Sequence, residues 1–216
     1  MDITCISDLH GHFPELKGGD LLIVAGDLTS KDLVQEYETF LCWLESIKYQ
    51  KIIFISGNHD NNLQHYSLNE DFPENVEYLC DDGTEFEGLK IWGSPWVKYF
   101  IGMNPHCAAF TCQTEAELCA KWEMIPNDTD ILVTHSPPFR VLDENRYGIE
   151  CGSPTLRWRL DEIKPKLHVF GHIHECGGQK IYYKNHMQVG NSTICVNASL
   201  VDEYYRGANK PMRVIL

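Results

Sequence analysis

What the chain lacks is informative. No apolar run approaches the about 20 residues that a membrane helix needs, so no membrane span is expected. Basic residues are scarce, 18 against 31 acidic ones, for a formal net charge of −13. That balance repels polyanions at long range and disfavours long nucleic acid as a partner, but it leaves room for a local cationic site. No C-x-x-C pair occurs, and the nine cysteines are odd in number and scattered. Reduced thiols suit that pattern better than a disulfide framework. The first residues, Met-Asp-Ile-Thr-Cys, carry no basic region, apolar stretch or cleavage site, so no signal peptide is expected and the location is read as cytoplasmic. The sequons at Asn127, Asn191 and Asn197 then carry no meaning. No linker, internal repeat or low-complexity tract divides the 216 residues, which are read as a single domain, 1–216.

What is present is a pattern of strand ends. Residues 52–60, Ile-Ile-Phe-Ile-Ser-Gly-Asn-His-Asp, are a β-rich apolar run that stops at a glycine and then presents Asn58, His59 and Asp60. Such a run reads as a buried strand, and in open α/β sheets chemistry gathers where strands end. The pattern recurs four times. Ile3–Ser7 leads to Asp8-Leu9-His10, Leu21–Ala25 to Gly26-Asp27, Ile131–Thr134 to His135, and Leu167–Phe170 to Gly171-His172-Ile173-His174.

Between these runs the periodicity predicts a helix over about 31–48 capped by Ser30, a short strand at Val76–Leu79 and a hairpin over 84–93 turning at Glu87-Gly88. Further helices are expected over about 112–124 and from Ser153 or Pro154 to Ile163. Strands are expected at Lys180–Tyr183, Thr193–Val196 and Arg213–Leu216. Strands and helices alternate first and strands dominate last, which points to an α/β fold. The segment 94–110 is long, aromatic and aperiodic, and a loop of that kind in a compact domain is commonly functional.

Borderline divalent metals accept imidazole together with carboxylate, and a two-metal hydrolase needs one carboxylate that reaches both ions. The strand ends supply Asp8, Asp27 and Asn58 with His10, His135, His172 and His174. These seven groups, one of them shared, make two sites of four with coordination positions left for water and phosphate. A lone histidine is usually structural; five strand-end clusters together point to metal.

In order, D-x-H, G-D, G-N-H-D, H and G-H-x-H resemble the signature of the calcineurin-like metallophosphoesterases, over roughly residues 5–174. The flanking Trp92-Gly93-Ser94-Pro95-Trp96 and Asn197-Ala198-Ser199 look like its small metallophosphoesterase-domain branch, which includes brain-type and bacterial relatives. The resemblance implies a four-layer αββα sandwich of two mixed β-sheets flanked by helices. It implies one metal on Asp8, His10, Asp27 and His174 and a second on Asp27, Asn58, His135 and His172, with Asp27 bridging. His59 then protonates or stabilises the leaving oxygen, and Asp60 orients it. The implied activity is hydrolysis of a small, nucleotide-like phosphodiester by a hydroxide bridging two divalent ions, with Mn²⁺ favoured and Fe, Zn, Co or Ni as other takers. Phosphomonoesterase, nuclease and non-catalytic scaffold are the alternatives. After Asp27 the chain reads Leu28-Thr29-Ser30-Lys31-Asp32, and Asp60 follows His59; the arginine and glutamate of the phosphoprotein phosphatases are missing, which disfavours that activity.

His12, His106, Arg140 and Arg146 are candidate substrate contacts, and Trp96, Tyr99 and Phe100 could stack on a base or sit in the core. His65, His168 and His186 are expected to be surface or structural.

Overall fold

The computed structural model describes residues 1–65, 72–184 and 192–216. His186, the Asn191 sequon and the side chain of His65 lie outside what is described. In chain order the strands are β1 (Asp2–Ile6), β2 (Gly19–Ala25), β3 (Tyr49–Ile55), β4 (Val76–Tyr78), β5 (Asp82–Phe86), β6 (Leu89–Ser94), β7 (Val97–Lys98), β8 (Thr111–Cys112), β9 (Ile131–Thr134), β10 (Leu167–Phe170), β11 (Gln179–Lys184), β12 (Ser192–Asn197) and β13 (Met212–Ile215). The α-helices are α1 (Val34–Ser46), α2 (Asn61–His65), α3 (Glu115–Trp122) and α4 (Pro154–Ile163).

Two sheets carry the molecule. One runs β13-β1-β2-β3-β4, with β13 antiparallel to its neighbour and the rest parallel; the other runs β11-β12-β10-β9-β6-β5, with antiparallel strands at its two edges. Alternation within each strand shows why the sheets stack. Ile3, Cys5, Leu21, Ile23, Ile53 and Ile55 meet Ile131, Val133, Leu167 and Val169 in a core between the sheets. The intervening Leu22, Val24, Ile52 and Phe54 face the other way, onto Tyr37, Phe40 and Leu44 of α1. On the far side Leu132 and Phe170 pack on Leu118 and Trp122 of α3 and Leu156 and Leu160 of α4. The order of layers is helix, sheet, sheet, helix. A strand buried on both faces has no polar face to show, so the central strands read as unbroken apolar runs.

Local chemistry sets the ends of the elements. Thr114 accepts the Glu117 N–H while the Glu117 carboxylate takes the Thr114 N–H, a capping box that starts α3. Ser153 caps α4 through the Leu156 N–H, with Pro154 in the first turn. The β5–β6 hairpin turns at Glu87 (φ 51°) and Gly88 (φ 74°), both left-handed, as a two-residue hairpin turn with matching twist requires. Helix α1 departs from expectation. It begins at Val34 rather than near 31, and Ser30 is not its cap. The Glu36 carboxylate instead collects the N–H groups of Ser30, Lys31 and Leu33, each at 3.0 Å. The 94–110 segment contains β7, which pairs in parallel with β8, and a 3-10 turn at Pro105–Cys107. Among the described residues no helix is long and apolar enough to cross a membrane.

Candidate metal centre

The loops that leave β1, β2 and β3 in one sheet, and β9 and β10 in the other, converge at one edge of the sandwich. Asp8, His10, Asp27 and His172 all take left-handed backbone angles, φ 52°, 42°, 53° and 69°. Such angles are costly for these residue types and persist where surrounding structure enforces them. Glycines allow the approach. A β-carbon at Gly57 would sit 2.2 Å from Asp27 Oδ1, and one at Gly171 would sit 2.1 Å from Asp8 Oδ2, so neither position admits a side chain without moving a carboxylate.

One ligand atom from each of Asp8, His10, Asp27 and His174 lies within 4.8 Å of the others. His174 Nε2 is 3.2 Å from Asp8 Oδ1, and His10 Nε2 is 3.6 Å from Asp27 Oδ2. Asp27 Oδ2 also lies 3.3 Å from His135 Nε2, which in turn is 3.2 Å from Asn58 Oδ1. Asp27 thus faces both halves of the cluster. The Asn58 amide nitrogen donates to the Cys107 carbonyl at 3.0 Å, which turns its oxygen toward His135. His172 stands further out, its ring centroid 5.2 Å from that of His135, while its backbone N–H donates to both Asp8 oxygens.

The hydrogen bonds behind the imidazoles show that the cluster fits a cation. Nδ1 of His10, His135 and His174 lies 3.1, 2.8 and 3.2 Å from the carbonyls of Thr29, Ala25 and Asp202. A carbonyl only accepts, so each Nδ1 carries a hydrogen, which leaves Nε2 as the atom that faces inward and that offers a lone pair once its own proton is lost to an incoming cation, the usual arrangement behind metal-ligating histidines. His10 Nε2 and His174 Nε2 then face each other at 3.4 Å beside two carboxylates. Two buried carboxylates with imidazole nitrogens turned toward them call for positive charge, which protons on the rings or a bound cation can supply.

Protonation follows the same charges. Burial alone would raise Asp8 and Asp27, yet His174 holds Asp8, and His135 with His59 holds Asp27, below the usual carboxylate range. Burial opposes charge on His135, but Asp27 outweighs it and pushes this imidazole up to about 9 in the ion-free chain. Burial drives His10 down to about 4 and His172 down to about 3.

His59 is buried beside the cluster, its ring 4.6 Å from that of His10, with Nδ1 3.2 Å from the Ser30 carbonyl. Its backbone N–H donates to Asp27 Oδ1 at 2.9 Å. Asp60 is engaged elsewhere: its carboxylate accepts from the N–H groups of Gly57, Leu28 and Thr29 and from the Thr29 hydroxyl. It ties the Asp27 loop to the Asn58 loop, and the partner of the His59 ring is Ser30. Burial, then the charge of Asp27, raises Asp60 to about 7.

The cluster opens into a cleft of about 760 Å³ lined by Asp27, Asn58, His59, His172 and His174 at its base and by Lys98, Tyr99, Phe100, Phe139, Arg146 and Tyr147 among its walls. Trp96 is not a stacking platform. Its indole N–H donates to Asp81 at 2.8 Å and the Lys121 ammonium sits over its ring, inside the packing of the fold. Arg140 is paired with Glu150 at 2.9 Å. His168 is fully buried with Nε2 2.8 Å from the Thr134 hydroxyl. The residue that sequence reasoning misses is Tyr205, which lines the cleft with its ring 4.8 Å from that of His10 and 5.2 Å from that of His174. No motif marks it.

Comparison with known proteins agrees with this geometry. The calcineurin-like phosphoesterase family matches residues 1–176. The chain is 33% identical to metallophosphoesterase domain-containing protein 1 of Homo sapiens, over 99% of this chain and 70% of that protein. It is 32% identical to a UPF0046 protein of Caenorhabditis elegans, over 97% of this chain and 78% of the relative. A crystal structure sharing 15% sequence identity superposes with a TM-score of 0.65 over 99% of this chain and 98% of that one, a likeness of fold alone. By its sequence, the chain belongs to the calcineurin-like phosphoesterase family.

Proposed function

We propose that the chain is a metal-dependent phosphodiesterase acting on small, nucleotide-like phosphodiesters. The observation that carries this reading is the buried carboxylate and imidazole cluster at the base of a cleft whose walls bear both cations and aromatic rings. The cleft's volume is of the order of small-molecule sites. Asp8, His10, Asp27 and His174 would hold one divalent ion, and Asp27, Asn58, His135 and His172 a second, with Mn²⁺ foremost among the candidates. Bound there, the ions supply positive charge toward phosphate oxygens and lower the pKa of water toward neutrality.

The chain's own residues do the rest. Lys98 and Arg146 attract the phosphate, and Tyr99, Phe100, Phe139 and Tyr147 offer faces to a base or another ring. Glu175 and Glu203 share the lining, and the whole chain is acidic. The cleft beyond the cluster has room for a second esterified group, which is what a diester requires. His59, acting in its doubly protonated form with Nδ1–H on the Ser30 carbonyl, would give its Nε2 proton to the departing oxygen and be left as the neutral Nδ1–H ring. His59→Ala should lower turnover by about 10²–10⁴-fold with metal content unchanged. Loss of metal together with activity would instead make His59 structural or a ligand.

The test is hydrolysis of bis(p-nitrophenyl) phosphate against p-nitrophenyl phosphate by metal-stripped protein, with and without added Mn²⁺. Diester turnover that appears only with metal supports the reading. Preference for the monoester redirects it to a phosphatase, and silence on both with two ions bound leaves a very selective enzyme or a non-catalytic platform.

A further inference from the structure

Tyr205 lies outside the residues matched by the family, in the turn between β12 and β13, yet it reaches the centre of the site. Its backbone is left-handed, φ 61°, an outlier for a bulky aromatic residue. The turn enforces that angle. The Asp202 carbonyl accepts the Tyr205 N–H at 2.9 Å, the Asp202 carboxylate accepts the N–H groups of Tyr204 and Arg206, and Arg206 closes the loop with an ion pair to Asp202. One contact fastens it to the metal cluster and a second to the loop after β1. The same Asp202 carbonyl meets His174 Nδ1 at 3.2 Å, and the Tyr205 carbonyl lies 3.1 Å from His12 Nε2. The ring is thereby held edge-on to His10 and His174 and 5.9 Å from His59, while 47% of the residue stays exposed and lines the cleft.

We propose that Tyr205 is a substrate-contacting residue that sets specificity: its ring walls the side of the cleft beside His59 and packs against an aromatic ring carried by the phosphoester, whether a base joined through its sugar or an aryl group esterified directly. A residue kept in a costly backbone conformation by a dedicated turn, over three imidazoles of the site and open to the cleft, is poised for contact with what enters. Deletion of the ring should then weaken ligands that carry a base or a nitrophenyl ring and spare inorganic phosphate. This inference rests on the proposed function, but its decisive readout is binding.

Tyr205→Gly suits the test because glycine accepts φ 61° without strain, so the ring is removed while the turn is kept. Tyr205→Phe retains the ring. Calorimetry on Mn²⁺-loaded protein should show adenosine 5′-monophosphate binding about tenfold more weakly to Tyr205→Gly than to the parent, the scale expected for loss of an aromatic stack. Tyr205→Phe should match the parent, and both variants should bind inorganic phosphate and Mn²⁺ as the parent does. In turnover, Tyr205→Gly should raise KM for bis(p-nitrophenyl) phosphate with kcat little changed. Equal nucleotide affinity in Tyr205→Gly and the parent overturns the inference, as does absence of nucleotide binding to the parent. Loss of Mn²⁺ from Tyr205→Gly makes the residue a buttress for His10 and His174 and overturns it too. Ring-dependent nucleotide binding in a parent that hydrolyses no ester would sink the activity and leave this contact standing.

Discussion

At the scale of single residues, the site depends on atoms that are missing as much as on those present. Gly57 gives the room in which Asp27 sits between His10 and His135, and a methyl group placed there would overlap Asp27 Oδ1 at 2.2 Å and stand 2.7 Å from His135 Nε2. Gly57→Ala should therefore displace the shared carboxylate and weaken Mn²⁺ binding by about 10–100-fold, the range seen when groups that orient ligands are disturbed. Metal content after desalting, read beside circular dichroism to confirm the fold, checks this; full retention of two ions would show that the carboxylate tolerates the shift. The ligand types were legible in the sequence because Asp, His and Asn stood at the ends of apolar runs. Roles were less legible. Asp60 follows His59 directly, but backbone geometry sends its carboxylate to Leu28 and Thr29, and adjacency in the chain could not reveal that.

At the scale of elements, the strands declared themselves wherever both faces were buried, since a short, mostly apolar run bounded by turn signals has few alternatives. Ile131–Thr134 and Leu167–Phe170 are found as expected, and Ser153 starts α4. The start of α1 was missed because its capping group lies inside the helix: Glu36 reaches back over three residues, which a search for Ser, Thr, Asp or Asn just ahead of the helix does not find. Burial opposes charge on Glu36, but those N–H groups prevail and hold its carboxyl below 4.5. A carboxylate with a depressed folded pKa contributes its stabilisation above the unfolded value and loses it as acid protonates it. Glu36→Ala should cost about 1 kcal/mol near neutral pH, as loss of a helix cap does. The difference in melting temperature from the parent should narrow as pH falls below 4.5. A difference that stays constant down to pH ~3, below the usual carboxylate range, would assign the loss to packing. The turn holding Tyr205 was illegible for a different reason. Its residues are ordinary polar ones, and only the return of the chain from β12 to β13 brings them beside ligands contributed by loops far earlier in sequence.

At the scale of the whole molecule, the sandwich has its two sheets joined by an apolar core and, at one edge, by the ligand cluster. Asp8, His10, Asp27 and Asn58 follow strands of one sheet; His135, His172 and His174 follow strands of the other. A cation held there would draw residues of both sheets together and offset the repulsion between two buried carboxylates, Asp8 and Asp27. Because the unfolded chain has no such cluster, binding must add to folding stability. Each site that Mn²⁺ fills should contribute about 2.7 kcal/mol when the ion is at about 100 times that site's dissociation constant. For a domain of this size that is a rise in melting temperature of about 5–10 °C. Asp27→Asn removes the charge shared by both halves and should abolish the increment. Thr114→Ala, which removes the cap of α3 and no residue of the cluster, should melt lower yet show the full rise. An equal rise in Asp27→Asn and the parent would place the stabilising metal elsewhere on the acidic surface. A rise confined to chains that keep Asp27 would show that the centre assembled from strand ends of both sheets is part of what holds them together.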